Sequence, residues 1–239
     1  MKAIIFAAGL GTRLQELSKN TPKALVNVNG ETLLHHTILH LAKHDFKDII
    51  INIHHYADQI INFIKEKDYK GLNISFSDER DELLDTGGGL VKAKDFFNEG
   101  DFLAYNVDIL SNINLTELYN KHTESKALAT LAVRNRNSSR YFLFDKTMNL
   151  SGWENTAANK KIITKENQKL SQFAFSGIQI ISPNIFDKIS HSGVFSMTNV
   201  YIDLAKKNII KGYIHNEDYW FDTGTPEKLA EASKFLQTL

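Results

Sequence analysis

Residues 2–14 constrain this chain more than any other stretch. Lys2-Ala3-Ile4-Ile5-Phe6-Ala7-Ala8 is a short apolar run, and it stops at Gly9-Leu10-Gly11-Thr12-Arg13-Leu14. A partly β-branched run of this length reads as a buried strand. The small residues and glycines after it read as a turn that a ligand can approach closely. Successive N–H groups in such a turn form a concavity for anions. A helix starting there would add its positive dipole end. Arg13, and Lys23 within Thr21-Pro22-Lys23, bring two cations to the same mouth. Backbone donors plus two cations are what a triphosphate needs. Taken alone, Gly-x-Gly describes any strand-to-helix turn. The dinucleotide fingerprint fails because Leu14 stands at its third glycine, and the P-loop fails because no Gly-Lys-Ser/Thr follows.

The rest of the first two-thirds alternates strand and helix. Leu33, Leu34, Ile38, Leu41 and Ala42 recur at helical spacing, Ile49–Ile53 is a second apolar run, and Ile60, Ile61, Phe63 and Ile64 suit another helix. Leu72–Phe76 alternates as a strand, and Ala127–Val133 reads as a further buried one. This alternation predicts an α/β fold, with helices on both faces of a mainly parallel, Rossmann-like sheet in three layers. Ligands of such sheets sit beyond the carboxyl ends of the strands, where the glycine turn would lie. From 134 to 175 the texture changes to arginine, asparagine, serine and lysine, with loose alternation in Tyr141–Phe144. We read this as a small β-rich subregion without its own core. The whole of 1–239 is expected to be one domain, with a nucleotide-binding half at 1–133 and a closing half at 134–239.

Composition narrows the chemistry. Lys plus Arg equal Asp plus Glu at 28 each, which gives no bulk electrostatic case for nucleic acid or an anionic membrane. The absence of cysteine excludes disulfides, thiolate catalysis and cysteine zinc sites. No apolar run approaches the roughly 20 residues of a membrane span, and the N-terminus shows no signal-peptide pattern. A cytoplasmic protein is expected, and its oligomeric state is not legible. His36 and His40 stand one helical turn apart but lack a carboxylate motif. With His35, His44, His54 and His55 they read as packing or surface residues.

Two aspartates stand out. Phe102–Val107 is an apolar strand that delivers Asp108 at its carboxyl end. A carboxylate there is costly to bury alone and useful if it faces a metal; otherwise it caps the next turn. Trp220-Phe221-Asp222-Thr223-Gly224-Thr225-Pro226 places Asp222 before a helix that Thr225 caps and Pro226 begins. Gly87-Gly88-Gly89, ahead of a helical run at Leu90–Phe97, read as a second close-approach loop or a helix entry.

Ala7–Leu14 followed by Thr21-Pro22-Lys23 resembles the signature of the sugar-1-phosphate nucleotidyltransferases. Glu16 stands where that family usually has proline, and Val107 where it has glycine. The resemblance implies transfer of a nucleotidyl group from a nucleoside triphosphate to a sugar 1-phosphate, with Mg²⁺ held by Asp108 and Asp222. It implies catalytic roles for Arg13, Lys23 and Asp108. It implies nucleotide contacts at Ala7, Ala8, Gly9, Gly11, Thr12, Asp85, Thr86, Gly87, Gly88 and Asn106, with Glu79 or Arg80 reaching the base. On the sugar side it implies Gly152, Trp153, Ser176 and Gly177, although Trp153 could equally fill core. The resemblance runs to short members that use UTP and an acidic amino-sugar phosphate, N-acetylmuramate 1-phosphate. Arg134 or Arg140 would then meet the acceptor's carboxylate. A guanylyl- or thymidylyltransferase acting on another acceptor, such as mannose 1-phosphate, is the near alternative. An inactive nucleotide-sensing module is the distant one.

Overall fold

The computed structural model describes residues 1–165 and 169–239. The first strand, β1 (Lys2–Phe6), leads through the glycine turn to a small hairpin, β2 (Asn27–Val28) and β3 (Glu31–Thr32). Helix and strand then alternate through α1 (Leu33–Lys43), β4 (Asp48–Ile53), α2 (Ala57–Glu66) and β5 (Asn73–Asp78). Next come α3 (Asp85–Lys92), β6 (Phe102–Asn106), β7 (Ile109–Ser111), α4 (Leu115–Ser125) and β8 (Ala129–Arg134). The β-rich stretch supplies β9 (Arg140–Phe144), β10 (Leu150–Asn155), β11 (Lys160–Ile163) and the long β12 (Ser171–Ile181). The chain closes with α5 (Met197–Leu204), β13 (Ile210–Ile214), β14 (Trp220–Asp222) and α6 (Pro226–Leu236).

Strands β6, β1, β4 and β5 lie side by side and parallel, with Ile4 between Ile50 and Ala104. β1 is flanked by β4 and β6, so a crevice opens at the carboxyl ends of these strands. β12 branches the sheet. Ile178–Ile181 run antiparallel to β6, and most of the strand's other edge pairs with β8, itself parallel to β13. Residues Ser171–Phe173 pair instead with β9, which carries β10 and β11 outward.

Side-chain alternation along β1 explains the three layers. Ala3, Ile5 and Ala7 point to one face and pack with Leu34, Ile38 and Leu41 of α1, Ile60 of α2 and Leu115 and Leu118 of α4. Ile4 and Phe6 point to the other face and pack with Leu90 of α3 and Val200 and Tyr201 of α5. Each fully buried isoleucine here contributes about 1.5–3 kcal/mol over an exposed one. Phe142, Phe144 and Leu150 of the β-rich stretch join that second cluster. A third cluster joins Leu14, Val26, Val28, Leu33 and Leu110 to Leu229 and Ala232 of α6. The last helix is thereby packed against the N-terminal turn.

One expectation is corrected. Gly87, Gly88 and Gly89 lie inside a helix, Asp85–Lys92, and do not form a loop before one. Glycine is a poor helix former by about 1 kcal/mol, but the packing here leaves no room for a side chain. A Cβ on Gly87 would lie 2.4 Å from the Phe195 ring, and one on Gly88 would lie 2.3 Å from the Gly193 carbonyl oxygen.

Candidate active site

The glycine turn sits at the carboxyl end of β1. Gly11 adopts φ 66°, a left-handed conformation that suits glycine. A Cβ there would lie 3.0 Å from Lys23 Cβ, so turn and lysine are in contact. Pro22 holds extended backbone just before Lys23, and Lys23 is 92% buried, at 8% relative exposure. Its ammonium donates to the Asp108 carboxylate. Ala7 and Ala8 are also buried, and both of their N–H groups donate to Asn52 Oδ1, at 2.6 and 3.1 Å. Those two donors are therefore already taken. Gly9 and Thr12 are exposed and leave the turn open.

Strand pairing carries Asp222 to Asp108. β7 and β14 run antiparallel with Ile109 opposite Asp222. Thr223 is fully buried, and both its N–H and its hydroxyl donate to the Asp108 carbonyl oxygen at 2.9 Å. This clamp spans 115 residues of sequence. Gly224 N–H donates to Asp222 Oδ1 at 3.0 Å. A Cβ on Gly224 would lie 2.8 Å from both Asp222 Oδ1 and Arg13 Nη2, so the guanidinium stands beside that carboxylate. Arg13, Lys23, Asp108 and Asp222 are thus gathered at one end of the crevice.

A cleft of about 450 Å³ opens from this cluster, walled by Ala7, Ala8, Gly9, Lys23, Asp85, Thr86, Asn106 and Asp108, with Val107 and Val194. Asn52 and Glu79 line its floor. Glu79 is fully buried; one oxygen accepts from Asn52 Nδ2 at 2.8 Å, the other from Leu84 N–H at 3.2 Å. Burial pushes its carboxyl pKa up. Arg80 is turned away, paired with Asp78 and Asp58. Gly87 and Gly88 lie behind the wall with both N–H groups on the Phe195 carbonyl oxygen, at 2.8 and 3.3 Å. Of the expected base-contacting run, Asp85 and Thr86 face the cleft and the two glycines do not. Asn52 escaped the sequence reading, although a lone amide inside Ile49–Ile53 was the available signal: buried polar groups need partners.

The Phe175–Gly177 segment packs against Asn106 and Ile109, on either side of Asp108 in the chain. Gly177 has φ 77°, and a Cβ would meet Ile109 Cγ1 at 2.8 Å and Asn106 Nδ2 at 3.1 Å. Ser176 is buried, its hydroxyl 2.7 Å from His215 Nε2 and its carbonyl accepting from Trp220 Nε1 at 2.9 Å. The arginines differ. Arg134 pairs with Asp218 and donates to the backbone carbonyls of Asn216 and Asp218. Arg140 is exposed at the start of β9. Arg136, which motif reading did not single out, lies with its guanidinium 4.3 Å from the Trp220 ring centroid. Gly152 and Trp153 do not line the cleft. Gly152 faces the Ile162 carbonyl of β11, and Trp153 packs on the core. Among the described residues no three His, Asp or Glu side chains gather as a metal cluster. His36 and His40 each place Nε2 3.0 Å from a backbone carbonyl oxygen.

An anion-type turn at a sheet's switch point, with two cations and two strand-end aspartates, defines a class that handles phosphorylated nucleotides. The chain belongs to the nucleotidyl transferase family, whose sequence model matches residues 2–238. More particularly, it is a sugar-1-phosphate nucleotidyltransferase. It is 27% identical to the N-acetylmuramate alpha-1-phosphate uridylyltransferase of Caulobacter vibrioides, over 98% of this chain and 97% of that one. It is 28% identical to the D-glycero-alpha-D-manno-heptose 1-phosphate guanylyltransferase of Aneurinibacillus thermoaerophilus, over 99% of each. The solved UDP-glucose pyrophosphorylase from Acinetobacter baumanii shares the fold, with a TM-score of 0.80 at 18% identity over 97% of this chain and 91% of that one.

Proposed function

We propose that the chain joins UTP and N-acetylmuramate 1-phosphate into UDP-N-acetylmuramate, releasing pyrophosphate, as a cytoplasmic step of cell-wall recycling. The observation that carries this reading is the Lys23–Asp108 pair on the wall of the cleft, with Asp222 and Arg13 brought up to it by the β7–β14 pairing and the Gly224 turn. The base and acceptor are supported by two near-full-length relatives named as uridylyltransferases of that sugar, at 27% and 28% identity.

In the reaction an oxygen of the sugar phosphate attacks the α-phosphorus. A new P–O bond forms, and the bond to the bridging oxygen breaks with its electron pair leaving on pyrophosphate. A phosphate monoester has its second pKa near about 6, so the nucleophile is largely ionised at neutral pH. No general base is required, and catalysis is positioning plus charge neutralisation. Lys23 exchanges its Asp108 partner for phosphate oxygens on the α-phosphate and the attacking group. Arg13, exposed at the turn, neutralises the leaving pyrophosphate. The donor set suits Mg²⁺, a hard cation that binds through one or two carboxylates plus phosphates and waters. Asp108 and Asp222 would hold it. When bound it supplies charge neutralisation and a template for in-line displacement.

A guanylyltransferase reading has support of the same kind, from the heptose-phosphate relative at 28% identity. Pyrophosphate release across the four ribonucleotides and dTTP, each with a panel of sugar 1-phosphates, separates the two. The highest kcat/KM is expected for UTP with N-acetylmuramate 1-phosphate. A GTP or dTTP optimum replaces the reading with its rival. Tight nucleotide binding with no turnover leaves a sensing module.

A further inference from the structure

We propose that Arg136 recognises an anionic group of the acceptor, and so sets which sugar phosphates the enzyme accepts. This rests on the transferase reading above. The sequence places three arginines near the sugar side, and the structure sorts them. Arg134 is held by the Asp218 carboxylate and two carbonyls, and it ties β8 to the loop before β14. Arg140 stands in solvent.

Arg136 is half-buried and differently placed. One Nη donates to the Phe175 carbonyl oxygen at 3.0 Å and the other to the Asn137 carbonyl oxygen at 3.3 Å. Its planar face lies against Trp220. Nε is buried without a partner, and the described residues give the side chain no ion pair. The guanidinium has more N–H donors than these two carbonyls use. Burial opposes its positive charge, Asp222 favours it through space, and Arg134 opposes it. A half-buried cation without a counter-ion is costly to keep. It becomes favourable when an anion arrives, because guanidinium offers a planar fork to carboxylate or phosphate. Location supplies the rest. Phe175 precedes Ser176-Gly177, which packs on Asn106, and Trp220 begins the strand that ends at Asp222. An anion on Arg136 would therefore sit beside the segment that packs on Asn106, at the sheet end that carries Asp222.

Two anions on such an acceptor share this chemistry: the 1-phosphate and a carboxylate on the sugar. Isothermal titration of N-acetylmuramate 1-phosphate and mannose 1-phosphate into the parent protein, Arg136→Met and Arg136→Lys decides between them. Steady-state KM for acceptor and for NTP, with Tm, completes the set. Arg136→Met should weaken acceptor binding about 10- to 100-fold, the range for a hydrogen bond to a charged group. The NTP KM should move less than about twofold, and Arg136→Lys should recover part of the loss. A loss confined to N-acetylmuramate 1-phosphate identifies the carboxylate; a loss shared by both acceptors identifies the phosphate. Unchanged acceptor affinity in Arg136→Met overturns the proposal. So does a loss of acceptor and NTP affinity in parallel with a fallen Tm, which would make Arg136 a clamp on Phe175 and Trp220. If the screen rejects N-acetylmuramate 1-phosphate as substrate, the substrate reading fails. The Arg136 test then runs on whichever acceptor the parent binds.

Discussion

Lys23 and Asp108 form a largely buried ion pair beside the glycine turn. Their side chains are 10% and 20% exposed, and each is the other's ion-pair partner. The pair keeps both charges compensated, and in the proposed reaction phosphates would take the lysine. Lys23→Ala and Asp108→Asn should each lower kcat by about 10²–10³-fold, the usual effect of removing one preorganised charge contact. Urea unfolding in parallel shows whether the fold is retained; a folded variant with near-parent kcat rejects this site. His40 makes a separate prediction at the same scale. Burial on α1, against Ile113 and Tyr105, pushes its imidazole down to about 4, from an ordinary value of about 6.5. Between those values the unfolded chain binds more protons than the folded one, so stability rises with pH. His40 stability is therefore complete above about pH 6.5 and lost as pH falls toward about 4. The full effect is on the order of 3 kcal/mol. His40→Gln should flatten the stability–pH slope over that window in urea melts; an unchanged slope assigns it to other groups.

At the scale of elements, α3 is a helix that its own composition argues against. Asp85 enters it with φ 57°, and Asp85 Oδ1 accepts from Thr86 N–H at 2.5 Å. The three glycines then let the helix press against Phe195, Gly193 and Glu79. Two effects oppose each other in Gly87→Ala. Helix propensity favours alanine by about 1 kcal/mol, while forcing a methyl into a packed wall typically costs about 1–3 kcal/mol. The clash at 2.4 Å lies with an aromatic ring backed by its own carbonyl, so crowding should win. We expect a net loss of about 1–2 kcal/mol in urea midpoint comparisons; a stabilised variant would show that the contact is slack. This also explains the misreading. Local propensity sees glycine as a breaker, and the requirement for it came from a segment about a hundred residues away, which no local window contains.

For the molecule as a whole, the last helix ties the N-terminal turn to β7. Leu229 is 7% exposed and packs with Leu14, just past Arg13, and with Leu110 on β7, next to Asp108. Leu229→Ala should cost about 2–5 kcal/mol, as cavity-forming substitutions do. Because the cluster joins the glycine turn to the aspartate strands, kcat/KM should fall along with stability at temperatures where the variant remains folded. Full activity in a folded but destabilised variant would separate the helix from the site.

Much of this was legible in the chain alone. The apolar runs and their periods dictated the layers, because burial of alternating faces is a local pattern written residue by residue. The glycine turn, Lys23 and the two aspartates were singled out by their resemblance to a family signature, since each alone reads as an ordinary turn or cap. Other matters needed the folded molecule. Which backbone donors were already occupied depended on Asn52, which reaches the turn from a neighbouring strand. Which of the two partly buried arginines found a carboxylate depended on where Asp218 lies. Those are questions of pairing between distant segments, and a side chain's partner is decided by the space it shares, which sequence order does not record.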